Sequence, residues 1–297
     1  MELRQVRYAL AVVDEGGFTA AASSIPISQP ALSQAVRALE RELGSDLFLR
    51  TGRTVRLTSA GEAFLGPARA MVREAENARA AVAGVAELAA GHLDIVALPT
   101  LVVEPLVPLV GAFRRLHPGV EVRIAEPEDS ADVVRLVLDG TYELGLGDGP
   151  IVAREGLVAD VLMEQELLAV LPPGTAVPSR RRFSIERLAD VPLLVTPTGT
   201  STRRLVDESL RRASVEPVVA VESDHREAIV PLVLAGAGAA LLPEPLAQAA
   251  AAQGAATARI DPPIRREVVL VSRAGATSAA GDAFRELALA ERARSRS

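Results

Sequence analysis

The sequence predicts an α/β protein: a front unit of three short helices and a hairpin, one long helix, and then a run of strands alternating with helices. Three observations predict it. Apolar residues recur at spacings of three and four through the first 43 residues, a heptad-like stripe follows from residue 64 to residue 89, and from His92 short β-type runs alternate with amphipathic segments.

In the front unit, Leu3, Val6, Leu10 and Val13 share one helical face, and Gly16-Gly17 ends that helix. Phe18 to Ala22 begin a second helix whose small residues let a neighbour come close, and Ser24-Ile25-Pro26-Ile27 interrupt it with a tight turn. Ser28 is a good N-cap for a third helix, Leu32, Val36, Leu39 and Leu43 give it an inward face, and Gly44 stops it.

The outward face of that third helix carries Gln29, Pro30, Ser33, Gln34, Arg37 and Arg41. Gln pairs with adenine edges, Ser with base or phosphate, and Arg with guanine or phosphate, and the first turns of such a helix are what meets a major groove. An ordinary polar face has the same composition, so the helix alone leaves both readings open. The next segment favours DNA. Leu47 to Arg50 and Arg53 to Leu57 are β-type runs joined through Thr51-Gly52, a hairpin with Arg50, Arg53 and Arg56 at its tip or flank. Arg53, closest to the tip, is expected in the minor groove or on its phosphates. Residues 18–37 thus read as a helix-turn-helix within a winged unit, 1–58, that contacts double-stranded DNA.

After the hairpin, Phe64, Ala68, Met71, Ala75, Ala78, Val82, Val85 and Ala89 repeat at four and three, the spacing of a coiled-coil seam. Residues 59–90 are therefore expected to form a linker helix that pairs with a second subunit, with Gly66-Pro67 kinking or breaking its first turns. A two-fold dimer requires a pseudo-palindromic site on the DNA.

Candidate strands in the remainder are 93–97, 120–125, 144–147, 167–171, 193–195, 218–221, 239–242 and 268–271, with helices near 105–117, 130–139, 202–213, 225–235 and 279–292. In open sheets ligands sit where strands end and helices begin, a position that favours anions. Pro99-Thr100-Leu101, Ser130 as an N-cap, and Thr198-Gly199-Thr200-Ser201-Thr202 answer that description, although each hydroxyl is equally suited to capping its own helix. His225 either faces the cleft or starts a helix. Gly236-Ala237-Gly238 follows a helix and precedes a strand, the reverse of the dinucleotide-binding order, so tight packing explains it better. Asp224-His225 are adjacent, which is poor geometry for a hydrolytic triad.

Composition bounds the chemistry. The chain of 297 residues exceeds one domain of about 100–200 residues, and with 49% hydrophobic and 24% charged residues it reads as soluble and globular. It holds no apolar run of about 20 residues, so no membrane partner is expected, and the absence of a leader pattern makes the cytoplasm the expected address. There is no cysteine and there are three scattered histidines, so neither a metal nor any other cofactor is expected. The net charge of -6 does not exclude nucleic acid, because residues 1–58 hold seven Arg against six acids and carry +1 while the rest carries -7.

Phe18-Thr19-Ala20-Ala21-Ala22, Ser28 to Ser33, Leu39-Glu40, Leu43-Gly44, Leu47-Phe48, Arg50, Arg53 and Leu57 to Gly61 together resemble the LysR-type transcriptional regulators, without a gap through about sixty residues. The resemblance continues more loosely through Gly91, Phe113, Pro118, Gly140 and Leu232 to Pro243. It implies a regulator of transcription that is not an enzyme, with DNA contacts at Gln29, Pro30, Ser33, Gln34, Arg37, Arg50 and Arg53. It implies a back domain, 91–297, of two α/β subdomains (about 91–163 with 267–297, and 164–266) similar to type 2 periplasmic binding proteins. A small organic effector, an anion among the candidates, would bind between them at Thr100, Leu101, Ser130, Gly199, Thr200, Ser201, Thr202 and His225. The implied assembly is a dimer or a dimer of dimers. There are three departures from the family pattern: Gly17 replaces a Ser cap, Pro26 stands in the turn, and Gln34-Ala35 replaces a basic residue followed by Gln, which predicts an altered base preference. A solute-binding module for transport is the competing reading, opposed by the helix-turn-helix and by the missing leader.

Overall fold

The computed structural model describes residues 1–51, 54–83, 91–149, 156–177, 182–275 and 277–295. The front unit is α1 (Leu3–Asp14), α2 (Phe18–Ser24), α3 (Gln29–Leu43) and a hairpin of β1 (Phe48–Thr51) with β2 (Thr54–Leu57). Its core joins Leu32, Val36 and Leu39 of α3 to Ala9, Val12 and Ala21, with Phe48 of the hairpin edge-on to Phe18 at 5.6 Å. The Ser28 hydroxyl accepts from the Ala31 N–H at 3.4 Å, Pro30 occupies the first turn, and Gly44 ends α3 at φ +71°, a conformation that favours glycine.

α4 (Ser59–Ala83) starts on a Thr58 cap, whose hydroxyl accepts from the Gly61 N–H at 3.0 Å and donates to the Asp46 carbonyl at 2.6 Å. Pro67 lies inside α4 and the helix is one element, so of the expected kink or break the break does not occur: a proline deletes one ladder bond, and twenty-five residues supply the others. The apolar stripe divides. Phe64 and Ala68 pack on Val6 and Leu10 of α1, while Met71 and Ala78 are exposed. Val85 and Ala89 lie outside the described residues.

The back of the chain contains β3 (Gly91–Ala97), the single turn α5 (Pro99–Leu101), α6 (Val107–Leu116), β4 (Val120–Ala125), α7 (Ser130–Leu138) and β5 (Leu144–Asp148). It continues with β6 (Leu157–Leu171), β7 (Arg182–Ser184), β8 (Leu193–Val195), α8 (Ser201–Arg212), β9 (Val219–Glu222) and α9 (Arg226–Leu234). Last come β10 (Ala240–Pro243), α10 (Glu244–Ala252), β11 (Ala256–Arg273) and α11 (Ala279–Ser295). The strand order is β10-β6-β11-β5-β3-β4, with β7 on β11 and a separate β8-β9 pair.

β6 and β11 are far longer than the apolar runs that announced them, and they pair antiparallel along their length through two register shifts. One core, with Ile95, Phe113, Leu144, Val268 and Phe284, gathers around their outer ends; others, with Leu167, Phe183 and Ile264, or with Val170 and Val233, gather around their inner ends. Two α/β subdomains therefore share two continuous strands. A Cβ on Gly238 would come within 2.4 Å of the Pro192 carbonyl oxygen, so close packing accounts for that glycine.

Candidate DNA-reading face and effector cleft

On α3, Gln29, Pro30, Gln34, Arg37 and Arg41 are exposed and Ser33 is half-buried. They form one face because Leu32, Val36 and Leu39 consume the other. The backbone of Arg50 lies in β1, paired with Val55. The Arg50 side chain and the whole of Arg53 lie outside the described residues.

What fixes the hairpin to α3 is Glu40, 6% exposed. Its Oε1 accepts from the Leu47 N–H at 2.9 Å and from the Phe48 N–H at 3.2 Å, satisfying two backbone donors at the start of β1. Gly61 sets the other side, since a Cβ there would lie 2.2 Å from the Leu47 carbonyl oxygen. Both residues stand in the motif that carries the family resemblance, but spacing alone gave neither a role.

In the back domain a buried polar cluster lies where the subdomains meet. Asp148, the last residue of β5, accepts on Oδ1 from the hydroxyls of Ser130 (2.7 Å) and Ser201 (2.5 Å), and on Oδ2 from Arg266 Nη1 at 3.0 Å. Arg266 also donates to Gln165 Oε1 at 2.9 Å through Nε and to Thr100 Oγ1 at 2.7 Å through Nη2. Burial pulls the Arg266 guanidinium below its ordinary pKa, and the Asp148 charge opposes that pull. Two further ties cross the cleft: the Ser201 N–H donates to the Glu128 carbonyl at 3.2 Å, and Arg226 reaches the Glu128 carboxylate at 2.6 Å.

Of the expected cleft residues, the structure brings Thr100, Ser130 and Ser201 into this cluster, and Thr202 lines the adjoining pocket with Thr100. Thr200 is buried against its own loop, sharing a 2.7 Å hydrogen bond with Thr196 Oγ1 and donating to the Pro197 carbonyl at 2.9 Å. Gly199 makes the exposed turn at φ +96°. Leu101 is fully buried in the core, and His225, with its side chain 75% exposed, is the residue that precedes α9.

One expectation is corrected: Ser130 does not cap α7, because Asp129 does, accepting from the Asp132 N–H at 2.8 Å, and Ser130 instead turns its hydroxyl to Asp148. Sequence reasoning missed Asp148, Gln165 and Arg266. Arg266 follows another Arg in a chain whose basic residues are all Arg, so only its inward strand phase, opposite Gln165, distinguishes it.

α7 connects this cluster to α4. Its first residue, Ser130, holds Asp148; just past its last turn, the Asp139 carbonyl abuts Gly66 of α4 so closely that a Cβ there would lie 2.3 Å from the oxygen. Among the described residues no group of His, Asp and Glu side chains is placed to hold a metal ion, and no helix is long and apolar enough to cross a membrane.

Comparison with known proteins agrees with this architecture. Residues 3–62 match the family described as "Bacterial regulatory helix-turn-helix protein, lysR family", and residues 86–293 match the "LysR substrate binding domain". Relatives include the regulator TfdS of Cupriavidus pinatubonensis, 34% identical over 83% of this chain and 84% of that protein, and the regulator IlvY of Escherichia coli, 29% identical over 82% of each. Among solved structures, a full-length OxyR variant from Pseudomonas aeruginosa superposes with a TM-score of 0.76 at 24% identity, covering 98% of this chain and 95% of that one. CbnR, a LysR family regulator, superposes at 0.68 with 25% identity, covering 98% and 99%, and it has also been solved with its target DNA. With both family domains matched in order along nearly its whole length, the chain belongs to the LysR family of transcriptional regulators: it is a DNA-binding regulator with an effector-binding domain, and not an enzyme.

Proposed function

We propose that a small molecule entering between the two back subdomains changes how the front unit sits on promoter DNA, and that α7 carries the signal. The observation that carries the reading is the position of α7, with one end in the cross-cleft cluster at Ser130 and the other against Gly66 of the linker. α7 is a rigid nine-residue helix, so a rigid-body shift of it with the cleft cluster also moves the Asp139 surface on which α4 rests. On the DNA, Gln29, Pro30, Ser33, Gln34 and Arg37 meet base edges or phosphates in a major groove, and Arg50 and Arg53 meet the backbone or minor groove. The exposed part of the α4 stripe, Met71 and Ala78, pairs with a second copy, giving a dimer or dimer of dimers on a pseudo-palindromic site in the cytoplasm. Thr100, Leu101, Ser130, the 199–202 loop and His225 remain the proposed effector contacts, Leu101 through its backbone only, because its side chain is enclosed in the core.

The test is a footprint on the promoter of the protein's own gene. Arg226→Ala removes a cross-cleft tie far from the DNA face, and it is expected to change the length of the protected region or the DNA bend at unchanged protein fold. An identical footprint and bend would refute the coupling.

A further inference from the structure

The apolar pocket beside the cross-cleft cluster has two cations in its wall, Arg203 and Arg226. They differ in what already holds them. Arg203, with its side chain 13% exposed, donates through Nε to both Asp207 oxygens at 2.9 Å and through Nη1 to the Thr196 carbonyl and to Glu222 at 3.1 Å, all within its own subdomain. Arg226, the first residue of α9, meets one carboxylate among the described residues, that of Glu128 at 2.6 Å, which reaches it from the loop before α7 in the other subdomain. The Glu128 side chain is 65% exposed against 27% for Arg226, so the acid can return to water at small cost while the guanidinium stays in the pocket wall. The main chain of Glu128 is anchored independently, because its carbonyl accepts from the Ser201 N–H. The rest of the wall is mainly apolar, with Val195, Val206, Ile229 and Leu242 beside Thr100 and Thr202.

We propose that the effector of this regulator is an apolar monocarboxylate whose carboxylate takes the place of Glu128 on Arg226, so that Glu128 is a built-in competitor for the site and its release undoes a tie between the subdomains. The exchange leaves the guanidinium paired, and what the incoming acid adds over Glu128 is apolar area buried in the pocket. The inference rests on the cleft being the effector site, and adds the charge class of the effector and the contact that it breaks.

The test titrates full-length protein without DNA, by calorimetry, with phenylacetate and hexanoate and with their neutral amides. In the wild type at least one acid is expected to bind about ten-fold tighter than its amide, the worth of a charge-assisted hydrogen bond less that of the pair it displaces. Glu128→Gln removes the competitor and is expected to tighten acid binding about two- to five-fold, the worth of an exposed ion pair, while leaving the amides unchanged. Arg226→Gln is expected to bring the acids down to the level of the amides, and Arg226→Lys to keep part of the preference. The proposal is overturned if neither acid binds the wild type better than its amide, if Glu128→Gln does not tighten the acid, or if the preference survives in Arg226→Gln. Thr202→Phe fills the pocket without removing a charge. If it abolishes the binding of acid and amide alike while the charge variants change nothing, the cleft is the effector site and only the carboxylate assignment fails; if binding persists in Thr202→Phe, the cleft reading itself fails.

Discussion

Arg266 and Asp148 form a buried ion pair whose members each satisfy several neighbours, so removing one strands the other. Arg266→Met is expected to lower stability by about 3–5 kcal/mol in denaturant unfolding, whereas Arg266→Met combined with Asp148→Leu recovers part of the loss. A single variant as stable as the wild type would show that the pair does not hold the cleft. In the front unit, Glu40→Ala leaves two buried N–H donors unmet at the start of the hairpin and is expected to cost about 2–3 kcal/mol by the same measurement. DNA contacts separate by kind. Arg53→Ala should weaken binding to all sequences and flatten its salt dependence, while Gln29→Ala and Ser33→Ala should relax preference at particular base pairs; equal losses on every sequence for the helix variants would contradict their assignment.

At the scale of elements, the legible features were those set by periodicity. Leu32, Val36 and Leu39 announced α3, and Ser28 and Gly44 bounded it, because the helix is amphipathic and its caps are local. β6 and β11 were legible only at their apolar ends, since Glu164 to Glu166 and Arg265 to Glu267 are polar in sequence yet pair across the two strands, and ion pairs such as Arg265 with Glu164 hide them from a hydrophobic pattern. α10 escaped notice because a run of alanines shows no apolar face, and Asp148 because a lone acid between two glycines carries no periodic signal.

Glu104 lies in the helical turn Val102–Leu106, between α5 and α6. Burial pushes the Glu104 carboxyl above its ordinary pKa, and the like charge of Glu244 at the start of α10 adds to it. The folded chain therefore holds that proton more readily than the unfolded chain, so the ionised group costs stability as pH rises through the carboxylate range, and fully so above the raised folded value. Glu104→Gln is expected to raise the unfolding midpoint at neutral pH and to lose that advantage well below the carboxylate range. An advantage that persists in acid would assign the gain to something other than charge.

At the scale of the whole molecule, one helix, α7, touches both the cleft cluster and α4. The order of the parts was readable from the sequence, but the contact was not, because Gly66 gave no hint that its missing side chain makes room for the Asp139 carbonyl. The most direct test combines two sites in one footprinting experiment on the native promoter. Arg226→Ala should alter the footprint in the wild-type background, and Gly66→Ala, which forces α4 away from Asp139, should abolish that alteration when the two are combined. If Arg226→Ala alters the footprint equally with and without Gly66→Ala, the signal does not pass through α7 and the account is wrong.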